Sequence, residues 1–276
     1  MTLNSLVKYY DALIEQNEPI CPIAHVSISA HIGILIDADG NFLCAQIPSV
    51  KGEAVHVPCT IESEGRTSNI APHIMSDQLC YVANCGEQFT ARHEAYLSQL
   101  EHFVSCCPDD AYANAIYKYV QKGTLMDDIR DVLPEKTAIP LEKMNAIFCV
   151  YGLSNEGADP CWTEWYLSQL EVNGVCCITG ESDYIPSSYP KCITSSNGNE
   201  VLFQKGSPVG YTASQKIIHA LQYMIYGRKN RNRVEAEYKM QALVSGEIDL
   251  DELKEWVDRN YPGKWEKFYS ILTNDE

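Results

Sequence analysis

Between Gly65 and Pro72 the sequence sets one guanidinium, Arg66, beside three short hydrogen-bonding side chains, Thr67, Ser68 and Asn69. Gly and Pro punctuate the backbone on either side, so these groups fall on a loop. A planar fork of Arg donors next to hydroxyls and an amide suits phosphate, or the carbonyls of a partner's backbone. The same residues also suit an ordinary polar turn whose Arg closes a salt bridge with a neighbouring acid such as Glu62 or Glu64. A second cationic set, Arg228, Lys229, Arg231 and Arg233, follows a helical pattern. Cations are stabilised there by the helix dipole, so the set reads either as a solvated cap or as a contact for phosphate or an acidic partner.

Neither G-x-x-x-x-G-K-[ST] nor G-x-G-x-x-G occurs, and there is no G-x-S-x-G turn. The seven His residues are scattered, with no H-x-x-x-H pair on a helix. Asp109-Asp110 and Asp127-Asp128 fall at helix starts or on polar faces, where solvation and the helix dipole account for them. Twelve Cys residues include no Cys-x-x-Cys pair and no zinc-finger spacing to His. Most lie in apolar runs (FLCAQI, FCVYG, VCCITG), where Cys acts as a small hydrophobe, so buried thiols are expected. No catalytic group, metal or cofactor is expected, and the chain reads as a non-enzyme.

Charge is the sharpest bulk signal. The chain carries 21 basic and 37 acidic residues, a net of -16. Residues 1–200 hold 10 basic against 26 acidic, which is the whole of the imbalance, and residues 201–276 are neutral. Such a surface repels nucleic acid, whose non-specific affinity comes from Lys and Arg neutralising phosphates. Little or no DNA binding by the chain alone is expected. Acidity selected for solubility would look the same.

The elements that must hold the loop follow from periodicity. Leu3, Leu6, Val7, Tyr10, Leu13 and Ile14 predict an amphipathic N-terminal helix, unlike a signal peptide. No apolar run reaches the roughly 20 residues that span a bilayer, so a cytoplasmic protein without membrane contact is expected. His31–Ile36 and Phe42–Ile47 predict two strands around an Asp-Gly turn. Residues 48–64 read as a polar connection, and an apolar run from Leu79 to Ala83 follows the loop. Helices are expected over 88–104, over 111–122 behind Asp109 and Asp110, and over 125–133 before Pro134. Asn145–Gly152 and Gly174–Thr179 read as buried strands with a Trp-rich helix, 160–172, between them. Residues 181–210 are mostly loop with one possible strand at 201–204. A strong helix is expected over 212–226, and more over 234–244, 249–260 and 264–272. The fold class is α+β: a mixed-sheet domain with flanking helices and a short C-terminal helical segment, divided as 1–210 and 211–276.

Three stretches, in order, resemble one family, the large subunit of the type I-C CRISPR Cascade complex. Arg66-Thr-Ser-Asn-Ile-Ala-Pro72, with Asp77 and Tyr81 after it, is similar to that family's R-T-S-G-I-x-P segment with its trailing D and Y. Cys176-Cys-Ile-Thr-Gly-Glu181 and Tyr189-Pro-Lys191 resemble its C-L-V-T-G-E and H-P-K. Ser207-Pro-Val209 and His219-Ala-Leu-Gln-Tyr-Met224 resemble its A-P-V-S and A-L-N-x-L-L helix, and Phe148 to Trp165 resembles its approach to a Trp. The resemblance covers roughly residues 1–233. Asn69 stands where the family has Gly, and Gln222 where it has Asn. Beyond Arg233 the family's G-D-x-T-V-V-F-W strand is replaced, and family members are about twice as long.

What the resemblance implies is a protein that caps the guide-RNA foot of Cascade, beside the subunits there, and senses the motif flanking target DNA. The partner contacts it implies are Arg66, Thr67, Ser68 and Asn69, joined by Arg228, Lys229, Arg231 and Arg233 on guide RNA or an acidic neighbour. Acidity and shortness together lead to the expectation of an anti-CRISPR decoy that takes the large-subunit seat and blocks DNA binding. The alternatives are a compact working large subunit that senses the flanking motif, and an unrecognised enzyme on the same scaffold.

Overall fold

A computed structural model of the chain describes residues 3–48, 54–134, 138–153, 158–189, 193–195, 198–200, 202–203, 206–224, 251 and 254–255. In chain order the elements are α1 (Leu3–Glu15), β1 (His25–Ser29), β2 (Ile32–Ile36), β3 (Phe42–Gln46), β4 (Ala54–Pro58), α2 (Ile61–Glu64), β5 (Asp77–Gln78) and α3 (Leu79–Val82). Then come α4 (Thr90–Cys106), α5 (Ala111–Gln121), α6 (Leu125–Asp128), β6 (Asn145–Val150), α7 (Ala158–Gln169), β7 (Gly174–Val175), β8 (Ser182–Asp183), β9 (Ile193–Ser195) and β10 (Gly198–Glu200). Residues 211–224 form α8. The fold is α+β, as its alternation of helical and strand periodicities requires.

The central sheet runs β3-β2-β6-β5. β2 pairs antiparallel with β3 and parallel with β6, and β5 closes the other edge antiparallel to β6. The β2–β3 turn forms as its sequence dictates. Asp37 Oδ1 accepts from the N–H of Asp39 at 2.9 Å and of Asn41 at 2.8 Å, while Gly40 takes a φ of +73°. A Cβ on Gly40 would lie 2.8 Å from the Ala115 carbonyl, so the turn and the close approach of α5 both demand Gly. Asp110 caps α5 by accepting from Ala113 N–H at 2.9 Å.

Ile32, Ile34, Ile36, Phe148 and Val150 of the sheet are buried against Tyr96, Leu100 and Phe103 of α4, Ile116 and Tyr119 of α5, and Trp162 of α7. A second core forms where Leu6, Val7, Tyr10 and Leu13 of α1 meet Ala213, Ile217, Ile218 and Ala220 of α8. Lys216 on α8 reaches Asp11 on α1 at 2.6 Å. Leu3 and Ile14, at the margins of the α1 face, are 38% and 46% exposed.

Four expectations are corrected. Residues 48–64 are no mere connection: β4 lies there, paired antiparallel with β1 from His25–Pro58 to Ser29–Ala54, followed by α2. Gly174–Thr179 is not a buried strand. Only Gly174 and Val175 pair, with Ser182 and Asp183, and Val175 is 59% exposed. The chain then turns, because Cys176 N–H donates to the Glu181 carbonyl and Gly180 N–H to that of Cys176, each at 2.8 Å. Residues 202–203 bend, and the strands of that region are β9 and β10, a short antiparallel pair. Cys44, Cys106 and Cys177 are exposed, Cys44 and Cys177 despite the apolar runs that hold them. The expected helices beyond residue 224 and the basic set Arg228, Lys229, Arg231 and Arg233 lie outside the described residues, apart from helical positions 251, 254 and 255.

Candidate partner-binding loop

α2 starts and stops on short-range chemistry. Thr60 Oγ1 accepts from Ser63 N–H at 3.2 Å while Ser63 Oγ accepts from Thr60 N–H at 2.9 Å, a reciprocal cap. Gly65 ends the helix and the loop begins. It returns through Met75, a non-Gly residue held at a φ of +65°, which places Asp77 beneath it. Tyr96 fixes that bend by donating its hydroxyl to the Met75 carbonyl at 2.9 Å.

Arg66 points inward. Its Nη1 donates to Asp77 Oδ2 at 2.6 Å and to the Ala71 carbonyl at 2.8 Å, and its Nη2 donates to Asp77 Oδ1. Asp77 is wholly buried and also accepts from the N–H of His73 at 2.7 Å and of Gln78 at 2.6 Å. The guanidinium carbon lies 4.4 Å from the centroid of the Tyr81 ring. Burial works against the charge of Arg66, but the hydrogen bonds and charge of Asp77 outweigh it and hold the pKa above its usual value. The salt bridge is therefore internal, as one of the two sequence readings allowed, but its partner is Asp77 rather than Glu62 or Glu64. Glu64 turns the other way and accepts from Gln215 Nε2 of α8 at 2.8 Å.

With Arg66 committed, the tip is left to Thr67, Ser68, Asn69 and Ile70, all exposed. Asn69 braces it: its Oδ1 accepts from Thr67 N–H at 3.4 Å and its Nδ2 donates to the Glu62 carbonyl at 3.3 Å. Such an arrangement can offer neutral hydroxyls and one aliphatic side chain to a partner. The base is fastened to α7, where Tyr166 Oη accepts from Ile61 N–H at 2.8 Å. The other two stretches singled out in the sequence meet each other: Cys177 N–H donates to the Pro208 carbonyl at 2.7 Å, and Tyr189 Oη accepts from Val209 N–H at 3.2 Å. Asp183 caps α8 from outside the helix, accepting from Thr212 N–H at 3.1 Å. Sequence reasoning passed over Asp77 as the partner of Arg66, and it passed over Arg92. Arg92 Cζ lies 5.5 Å from the same Tyr81 ring centroid, a proximity no local pattern announces.

Two groups beside the loop, the half-buried Glu64 and the buried His73, make stability depend on pH. Burial pushes the Glu64 carboxyl up to about 7 and the His73 imidazole down to about 4. Folding therefore favours protonated Glu64, and that contribution, full below its usual 4.5, is lost as pH rises through about 7. His73 works the other way: its contribution is full above 6.5 and lost as pH falls towards 4. Glu64→Gln should remove the first loss, raising stability at pH 8 relative to pH 5 by on the order of 2 kcal/mol over the parent chain. Urea unfolding at the two pH values reads this directly, and an unaltered pH dependence would refute it.

The family described as CRISPR-associated protein (Cas_Csd1) matches this chain over residues 6–240. The chain belongs to that family. No curated protein matches it. Membership in the Csd1 family gives the chain a CRISPR-associated role, and the match takes in the 65–70 loop, Asp77, Tyr81, the turn at Cys176 and the whole of α8. Among the described residues of this Csd1 chain no group of three or more His, Cys, Asp or Glu could hold a metal ion. None of the described helices is long and apolar enough to cross a membrane.

Proposed function

We propose that this chain is a non-enzymatic protein that docks in the large-subunit seat of a type I-C Cascade complex and blocks target DNA binding there. The observation that carries the docking is the Arg66–Asp77–Tyr81 unit. It satisfies its own charges inside the chain and leaves the 67–70 tip formed and exposed before any partner arrives, so docking costs little ordering. Thr67, Ser68 and Asn69 then meet the guide-RNA foot or the subunit beside it, with Arg66 shaping the loop from within. The block follows from charge: 26 acidic against 10 basic residues over positions 1–200 leave the seat filled by a surface that repels DNA.

A second reading, a working subunit that senses the motif flanking the target, is favoured by the extent of the family match through residue 240, with the loop included. One experiment separates the two. The chain is expressed beside tagged type I-C subunits and guide RNA, and the purified complex is tested for target DNA binding. Co-purification with lost DNA binding supports the block, retained and motif-dependent binding establishes the working subunit, and no association sinks both. Alone, at moderate salt, the chain should not retard duplex DNA in a gel; salt-sensitive micromolar binding would count against the block. Changing Arg228, Lys229, Arg231 and Arg233 together to Ala should weaken association while leaving the melting temperature unchanged. Undiminished co-purification removes those four from the interface.

A further inference from the structure

The end of α4 and the start of α7 meet through aromatic rings. Phe103 lies edge-on to Trp162 at 5.4 Å and to Trp165 at 5.2 Å. One helical turn beyond Phe103 stands Cys107, whose N–H donates to the Phe103 carbonyl at 2.8 Å and so closes α4. One residue before Trp162 stands Cys161. The ring contact thus brings together two thiols distant in sequence, and their side chains share a hydrogen bond. Both are half-buried, packed on the core yet open to a small molecule.

Two such thiols can serve as small hydrophobes and nothing more. The helix ends that hold them make the pair unequal. Cys161 falls in the first turn of α7, where the helix dipole favours an anion. Cys107 falls at the C-terminal end of α4, where the same effect disfavours one. Burial first, and then the bond to Cys161, push the Cys107 thiol up to about 12. Cys107 therefore keeps its proton and donates it in the shared bond, which leaves Cys161 as the sulfur that attacks. We propose that Cys107 and Cys161 form a redox-modification site, oxidised by hydrogen peroxide to an intrachain disulfide, with Cys161 attacking and Cys107 resolving. The Cys161 thiolate bonds to one peroxide oxygen, the O–O bond breaks, and hydroxide leaves, taking up the proton that Cys161 had released. The Cys107 sulfur then bonds to the sulfur of the Cys161 sulfenic acid. The S–O bond breaks, and the second hydroxide leaves as water with the Cys107 proton. Two thiols and one peroxide become one disulfide and two waters. A neutral oxidant suits the site, because Asp110 adds negative charge beside Cys107 in a chain of net charge -16, and both repel an anionic disulfide such as oxidised glutathione. The new bond ties α4 to α7 and closes a loop of roughly fifty residues.

The full chain, freed of reductant, is treated with a small molar excess of hydrogen peroxide. Its remaining thiols are alkylated and its peptides are read by mass spectrometry without reduction. The parent should give the Cys107–Cys161 linked peptide, which dithiothreitol removes, and its melting temperature should rise by about 5 °C on oxidation. With dimedone present, Cys107→Ser should accumulate sulfenic acid on Cys161, whereas Cys161→Ser should show none on Cys107. Cys106→Ser, which changes the exposed neighbour, should leave the link intact. Should a serine variant fold less stably than the parent, the alanine variant at that position replaces it. A folded parent that forms no Cys107–Cys161 link under peroxide, links Cys161 to Cys106 instead, or links only between separate chains overturns the assignment. Equal dimedone labelling of Cys107 and Cys161 in the two variants overturns the division of roles and the proposal with it.

Discussion

Arg66→Ala is expected to destabilise the folded chain by about 3–5 kcal/mol, the usual result of removing one partner from a buried ion pair. Asp77 is fully buried, and without Arg66 its remaining partners are two backbone N–H groups. An uncompensated carboxylate there must take up a proton or draw in water, and either course loosens the loop. Arg66→Lys should recover only part of the loss, because a point charge cannot serve Asp77 Oδ1, Asp77 Oδ2 and the Ala71 carbonyl from one plane. Arg66→Ala combined with Asp77→Ala should cost less than the two single changes added, the signature of direct coupling. Denaturant unfolding measures all of these. A variant of parent stability that nevertheless fails to dock would return Arg66 to the partner surface and contradict the internal role.

Trp162→Ala carries the other large loss, again about 3–5 kcal/mol. The indole is wholly buried, stacks on Tyr166 at 5.2 Å and 8°, and meets Phe103 edge-on at 5.4 Å. Its Nε1 donates to the Ala24 carbonyl at 3.0 Å, at a residue whose φ is +60°. Truncation leaves a cavity between α4 and α7 and takes one of two donors from the Ala24 carbonyl, which keeps only the Cys59 N–H at 2.8 Å. Trp162→Phe keeps most of the volume and should cost about 1–3 kcal/mol, through the lost indole hydrogen bond and the space the smaller ring leaves, since the Ala24 oxygen keeps its bond from Cys59 N–H at 2.8 Å. The damage should reach the loop, since Tyr166, which stacks on Trp162, also holds Ile61 at the start of α2. Faster amide exchange at Ile61 in Trp162→Phe would register that link; parent-like protection there would break it.

Where a residue's environment is set by its near neighbours, the sequence is a good guide. The 3.6-residue spacing of Leu6, Val7, Tyr10 and Leu13 marks α1, and Asp37 and Gly40 mark the β2–β3 turn, because both depend on atoms a few residues away. β1 and β4 escape such reading. HVSIS and AVHVP are five residues each, interrupted by His and Ser, and each is a strand only because the other lies alongside. VCCIT misleads in the opposite sense, since Cys176 is buried by the return of Tyr189 and Val209 rather than by a sheet. The loop shows the same division. Its place between Gly65 and Pro72 is plain in the sequence, and the trailing Asp and Tyr of the family resemblance are there as letters. That Asp77 grips Arg66 while Tyr81 lies near its guanidinium is visible only once the strained bend at Met75 has doubled the chain back.

The parallel pairing of β2 with β6 has a consequence for how the chain is made. His31 Nδ1 accepts from Asn145 N–H across 114 residues, and Lys216 finds Asp11 across 205. Closing spans of that length precedes any reward from the contacts themselves, which slows folding. On the ribosome β2 and β3 can form their hairpin early, yet the β2 edge that β6 will cover stays open until residue 150 has emerged. The apolar face of α1 waits longer still, until α8 is out. The nascent chain thus carries Ile32, Ile34 and Ile36 on an unpaired edge until β6 is made, a sticky interval in which a holding chaperone would protect it.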